Sequence, residues 1–144
     1  METRDFTVND RIYQILEPGA RKAMVIAEKA MLLLGPIVPT LGMKGEDGLK
    51  KLSTALLALE PDAVDSLLMS AASISKLSFG GMPIFNEADF ERHFSDKKKD
   101  VFPVLAWCLW EVVKDFLPDL GAFGQIIKAK FGEEMLKQLS PTAA

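Results

Sequence analysis

The side chains able to carry out chemistry are few: the chain holds one histidine, His93, one cysteine, Cys108, and one tyrosine, Tyr13. Thiol catalysis needs a base within hydrogen-bond reach, so His93 would have to meet Cys108. Cys108 lies between Trp107 and Leu109 in the most apolar stretch of the chain, where burial keeps a thiol protonated and inert. A structural role is expected for it. His93, between Arg92 and Phe94, reads as a helix-surface or interface group rather than a general base. A single His and a single Cys cannot fill the tetrahedral shell of a zinc site. Calcium loops want closely alternating oxygen ligands; Glu46-Asp47 and Glu87-Ala88-Asp89 lack that run and read as helix starts. The carboxylate pairs on offer for acid-base work are Asp62 with Asp65 and Glu133-Glu134, and adjacent glutamates point apart on a helix. Glu111 interrupts the tryptophan-bearing segment and reads as a boundary or snorkelling charge. No catalytic residue, metal ligand or cofactor site is expected, and the chain is read as a non-enzyme.

Two further patterns reduce to ordinary structure. Gly80-Gly81 is followed by no Lys-Ser/Thr pair and preceded by no evident parallel strand, so it does not make a phosphate-cradling loop. Lys97-Lys98-Lys99 is bracketed by Asp96 and Asp100 in a chain of net charge -3. It reads as a solvated face, and nucleic acid is not expected as a partner.

At 144 residues and 49% hydrophobic content, folding as one domain buries roughly 70% of the unfolded surface. One cysteine forms no internal disulfide, so a cytosolic setting is expected. The polar start Met1-Glu2-Thr3-Arg4-Asp5 gives no sign of a secretory leader. The stretch from Val101 to Val113 is broken by Pro103 and Glu111 and falls short of the ~20 residues a bilayer needs. It reads as a core helix, with no membrane partner.

The elements that must position these groups follow from periodicity. Phe6-Thr7-Val8 and Arg11-Ile12-Tyr13-Gln14-Ile15 alternate polar and apolar around Asn9-Asp10, types that tolerate positive φ, and residues 1–16 read as a short β-hairpin or an arm that orders against a partner. Residues 17–117 read as a helical core. Its first helix runs from Gly19 to Leu34 after Pro18, with Ala23, Ile26, Ala27, Ala30, Met31 and Leu34 inward, and stops at Gly35-Pro36. Asp47 or Gly48 opens a second, with Leu49, Leu52, Leu56 and Leu59 as its stripe. Pro61 starts a third that runs to about Leu77, with Ser66, Ser70 and Ser73 small enough for close helix contact. Asn86 with Asp89 reads as a cap for a short helix through Phe90 and Phe94, and Asp96 as the cap of the helix from about Lys97 to Phe116. Residues 118–139 outline a last amphipathic helix and 140–144 a frayed tail. The fold class is therefore mainly α: a single compact bundle of about five helices with an N-terminal β-hairpin.

Seven methionines and nine phenylalanines must be housed, and Phe79 to Phe85 is strongly apolar yet unable to form regular helix. These groups either cap the helical core or receive a partner, a task that suits Met and aromatic side chains. The partner-binding set on the second reading is Phe79, Met82, Phe85, Phe90, Phe94, Trp107 and Trp110.

Several stretches together resemble the bacteriophage tail assembly chaperones, which are encoded between the major tail protein and the tape measure protein. They are Phe6-Thr7-Val8-Asn9-Asp10-Arg11-Ile12-Tyr13, Ala20-Arg21-Lys22-Ala23 leading to Leu34-Gly35-Pro36, and Leu56 through Asp65. Phe85 through Phe94 and Val101-Phe102-Pro103-Val104-Leu105-Ala106-Trp107 complete the set. The resemblance implies a non-enzymatic protein of the host cytoplasm that coats the helical tape measure protein, recruits major tail protein during tube polymerisation and is absent from the finished tail. Members of the family are often made in two lengths by programmed frameshift. The partners so implied are tape measure protein and major tail protein, with a second copy of the chain as a further candidate. The competing reading is another phage-encoded helical interaction module, either a tail structural component or an inhibitor of a host protein.

Overall fold

In the computed structural model, which describes residues 2–35 and 46–119, Asn9 and Asp10 take φ of 49° and 65°. Two successive left-handed residues match the twist of the flanking strands. The hairpin they close pairs β1 (Thr3–Val8) with β2 (Arg11–Leu16), Phe6 opposite Tyr13. Alternation sends Tyr13 and Ile15 inward and leaves Ile12 exposed.

The hairpin is half of a larger sheet. Gly80 and Gly81, at φ 57° and 81°, close a second two-residue turn between β3 (Ser78–Phe79) and β4 (Met82–Pro83). β3 pairs with β2 through Tyr13 opposite Phe79, giving an antiparallel sheet in the order β1-β2-β3-β4. The apolar stretch from Phe79 to Phe85, expected only to be irregular, thus extends the hairpin. Its strands are two residues long, too short for an alternating pattern.

Helix α1 (Ala20–Leu34) buries all six of its expected core positions, and Gly19, where the helix was expected to begin, stands at its N-cap. Helix α2 (Glu46–Leu57) includes both residues expected to open it, Asp47 and Gly48, and buries Leu52 and Leu56. Helix α3 (Pro61–Ile74) opens on Pro61 as expected but ends three residues before Leu77. There Leu77 N–H reaches Ala72 O at 3.1 Å and Lys76 N–H reaches Ser73 O at 3.2 Å, a Schellman closure with Lys76 in the left-handed position at φ 51°. No glycine marks that stop, so the sequence does not announce it. Ser66, Ser70 and Ser73 line an open groove.

Helix α4 (Glu87–Phe94) has the expected cap, Asn86 Oδ1 accepting from Asp89 N–H at 2.9 Å. Helix α5 (Lys98–Val113) continues as a 3₁₀ segment from Lys114 to Asp119. Lys97, not Asp96, is its N-cap, because the Asp96 carboxylate is taken by Lys97 Nζ at 2.9 Å. Ten of its residues are buried, which makes α5 the post on which α1, α2, α3, α4 and β1 pack. The expected C-terminal helix and tail from residue 120 onward lie outside the described residues. No helix among the described residues is long and apolar enough to cross a membrane.

Candidate functional site

Asp100 is wholly inaccessible to solvent, which a carboxylate tolerates only when its lone pairs are filled. Arg11 donates from Nε at 2.6 Å and Nη2 at 3.1 Å, Asn9 Nδ2 at 2.8 Å and the Tyr13 hydroxyl at 2.7 Å. Four donors occupy the two oxygens, so none is left for a substrate. The Arg11 hydrogen bonds, outweighing burial, hold the Asp100 carboxyl well below the usual range. It is an ion at any ordinary pH and too weak a base for proton abstraction.

The Tyr13 hydroxyl has one proton, which goes to Asp100; the 3.0 Å contact to His93 Nε2 must then be donated by the histidine. Burial first, and Asp100 second, push the Tyr13 hydroxyl up, so it stays protonated. Burial, and then the Lys97 charge, lower the His93 pKa. Its ring meets Phe79 and Phe94 edge to face, at centroid distances of 4.7 and 4.6 Å. The Asp-Tyr-His chain is therefore a clamp fastening the hairpin to α4 and α5, not a relay.

A second fastening joins β1 to the C-terminal half of α5. Glu111, expected as a boundary charge, receives Arg4 Nη1 at 2.6 Å, Lys114 Nζ at 2.6 Å and Trp107 Nε1 at 3.1 Å. Phe6 stacks on Trp107 with centroids 5.0 Å apart. Cys108 is buried and burial drives its thiol pKa up, as its apolar surroundings led us to expect. Among the described residues no three His, Cys, Asp or Glu side chains are grouped to hold a metal.

Open surface with binding character lies elsewhere. A groove of about 920 Å³ is bounded by α1, α3, α4 and α5 and floored by Ile26, Phe90, Phe94 and Leu105. Val25, 44% exposed, stands at its edge with half-buried Met69 and Phe85. The lining spacings, Lys22, Val25, Ile26 and Lys29 on α1 and Ser66, Met69, Ser70 and Ser73 on α3, are those of single helix faces.

Three of the residues singled out by sequence come together here: Phe85, Phe90 and Phe94. The other four do not. Phe79 packs between Tyr13 and His93, Met82 is 69% exposed on β4, and Trp107 and Trp110 are buried in α5. Sequence reasoning missed the α1 and α3 walls, whose polar spacing resembles any solvated face. It also missed Asn9, Arg11 and Asp100. For these a signal existed: Arg11 shares the inward side of β2 with Tyr13 and Ile15, and an inward arginine demands a buried acid.

The sequence model for phage tail assembly chaperone protein, TAC, matches residues 9–124. The chain belongs to the phage tail assembly chaperone family. Comparisons with curated proteins and with solved structures return no match. The span shared with the chaperone family takes in Asn9, Arg11, Tyr13, His93 and Asp100, hence the whole clamp, together with all four helices around the groove. Arg4 and Phe6, which fasten β1 to α5, precede it.

Proposed function

We propose that this tail assembly chaperone binds helical segments of the tape measure protein in the groove between α1, α3, α4 and α5, and recruits major tail protein as the tube polymerises. It does so in the host cytoplasm, without catalysing a reaction. The observation that carries the reading is the groove itself, an open apolar-floored trough of about 920 Å³ in a member of this family. Walls made of single helix faces suit an amphipathic helix laid along them, a mode in which residues at i, i+3, i+4 and i+7 serve as anchors. Half-buried Phe85 and exposed Val25 both have apolar surface left to bury, worth about 1 kcal/mol each, since roughly half of a side chain's full burial is still to be gained.

Co-expression with the tape measure protein tests this. The wild-type chain is expected to keep the client soluble and to co-purify with it. Val25→Asp is expected to lose that capture while melting like wild type, since Val25 stands outside the core; Phe85→Asp is expected to lose it too, with a lower melting temperature because Phe85 packs against the core. Were both variants folded and still capturing tape measure protein at the wild-type level, the groove would not be the client site. The finished particle should contain tape measure and major tail proteins but not this chain; its presence there would favour a structural tail component.

A further inference from the structure

The rims of the groove carry charge of opposite sign. Lys22 and Lys29 stand one above the other on α1, and Glu87 and Glu91 do the same on α4. Asp65 on α3 and Lys98 on α5 add one charge of each sign on the intervening helices. Among the described residues none of these six is engaged in an ion pair. The ion pairs that form among the described residues, Arg4 with Glu111 and Asp115, Arg11 with Asp100, Arg92 with Asp89, Lys97 with Asp96 and Lys114 with Glu111, all lie outside the groove lining. α4 packs chiefly on α5 whereas α1 packs on α3 and α5, so the basic and acidic pairs stand on separate walls of the trough.

We propose that the groove selects an amphipathic helix whose apolar stripe is bordered by acidic residues along one side and basic residues along the other. This rests on the groove being the client site. The apolar floor would take the stripe, as any such groove would. The rims add a requirement the floor cannot impose: a helix acidic on both flanks meets Glu87 and Glu91 with like charge, and one basic on both flanks meets Lys22 and Lys29 in the same way. Like-charge juxtaposition rejects wrong partners more effectively than surface pairs reward right ones. Ser66, Ser70 and Ser73 leave the α3 wall low, which lets a client backbone come close.

The test uses three designed peptide helices sharing one Leu/Met stripe, flanked respectively by Glu and Lys, by Glu alone and by Lys alone. Wild type is expected to prefer the mixed peptide by about 3- to 10-fold at low salt, the sum of two exposed pairs gained against two repelled. The preference should fade at high salt. Lys22→Glu with Lys29→Glu makes both rims acidic and should turn the preference to the Lys-flanked peptide. Glu87→Lys with Glu91→Lys should turn it to the Glu-flanked one. A reversal of preference cannot come from misfolding. Equal binding of the three peptides by wild type, or binding of none while tape measure protein is still captured, overturns the charge rule and leaves the groove assignment standing. Tape measure capture that survives Val25→Asp and Phe85→Asp removes both. A wild-type dimer that dissociates on Lys22→Glu with Lys29→Glu would assign the rims to a second copy of the chain and overturn the proposal.

Discussion

Asp100 gathers four hydrogen bonds from three residues of the hairpin while sitting in the first turn of α5, where the helix dipole also favours negative charge. Replacing it by asparagine leaves Arg11 without its counter-charge, and Asp100→Asn is expected to cost about 3 kcal/mol at neutral pH. The sign of the pH dependence follows from the direction of the shift. The folded-state pKa lies below the ordinary value, so the stabilisation is fully present above about pH 4 and is lost as pH falls toward the folded-state value. His93, also lowered, makes a separate contribution that is present above about pH 6.5 and declines below it in both proteins. Urea unfolding at pH 7 and pH 3 should therefore show a wide gap between wild type and Asp100→Asn that narrows in acid. An equal gap at both pH values would mean that the carboxylate charge is not what fastens the hairpin.

Elements were legible where their signals were local and strong. The left-handed turn at Asn9-Asp10, the six inward positions of α1 and the Asn86 cap all sit within a few residues of their cause. What the sequence hid depended on partners far along the chain. β3 and β4 exist because β2 offers Tyr13 and Gln14 as pairing partners, and α3 stops at a lysine because Leu77 finds a wholly buried seat. The Asn86 cap has a consequence of its own, because α4 has only 8 residues and helices shorter than about 12 residues are marginal without help. Asn86→Ala is expected to cost about 1 kcal/mol of stability and, by loosening the helix that carries Glu87 and Glu91, to weaken binding of the mixed peptide. Thermal melts and peptide titrations check the two halves; unchanged affinity would show that the acidic rim is held by the burial of Phe90 and Phe94 alone.

Across the whole molecule, the surplus of apolar side chains was legible but its destination was not. The tryptophans looked like partner surface because they stand three residues apart in a helix, yet α5 is packed on nearly every side and leaves them 3% and 6% exposed. The groove went unseen because its walls come from four separate helices, and Val25, one turn from Lys22 and from Lys29 on α1, gives no sign of facing a trough. Their emission is accordingly expected to be blue-shifted, poorly quenched by acrylamide and almost unchanged when tape measure protein or the mixed peptide binds. A large spectral change on binding would bring α5 itself into the client interface.

Cys108 is buried with its thiol held protonated, and its seclusion makes it a clock. Sealed among Trp107, Leu109 and the rest of the α5 core, the thiol meets a reagent only in a molecule whose centre has come apart, so the pace of its labelling counts openings of the whole domain. A client that occupies the native groove holds that centre shut by mass action, and the chain thereby carries a built-in gauge of its own occupancy.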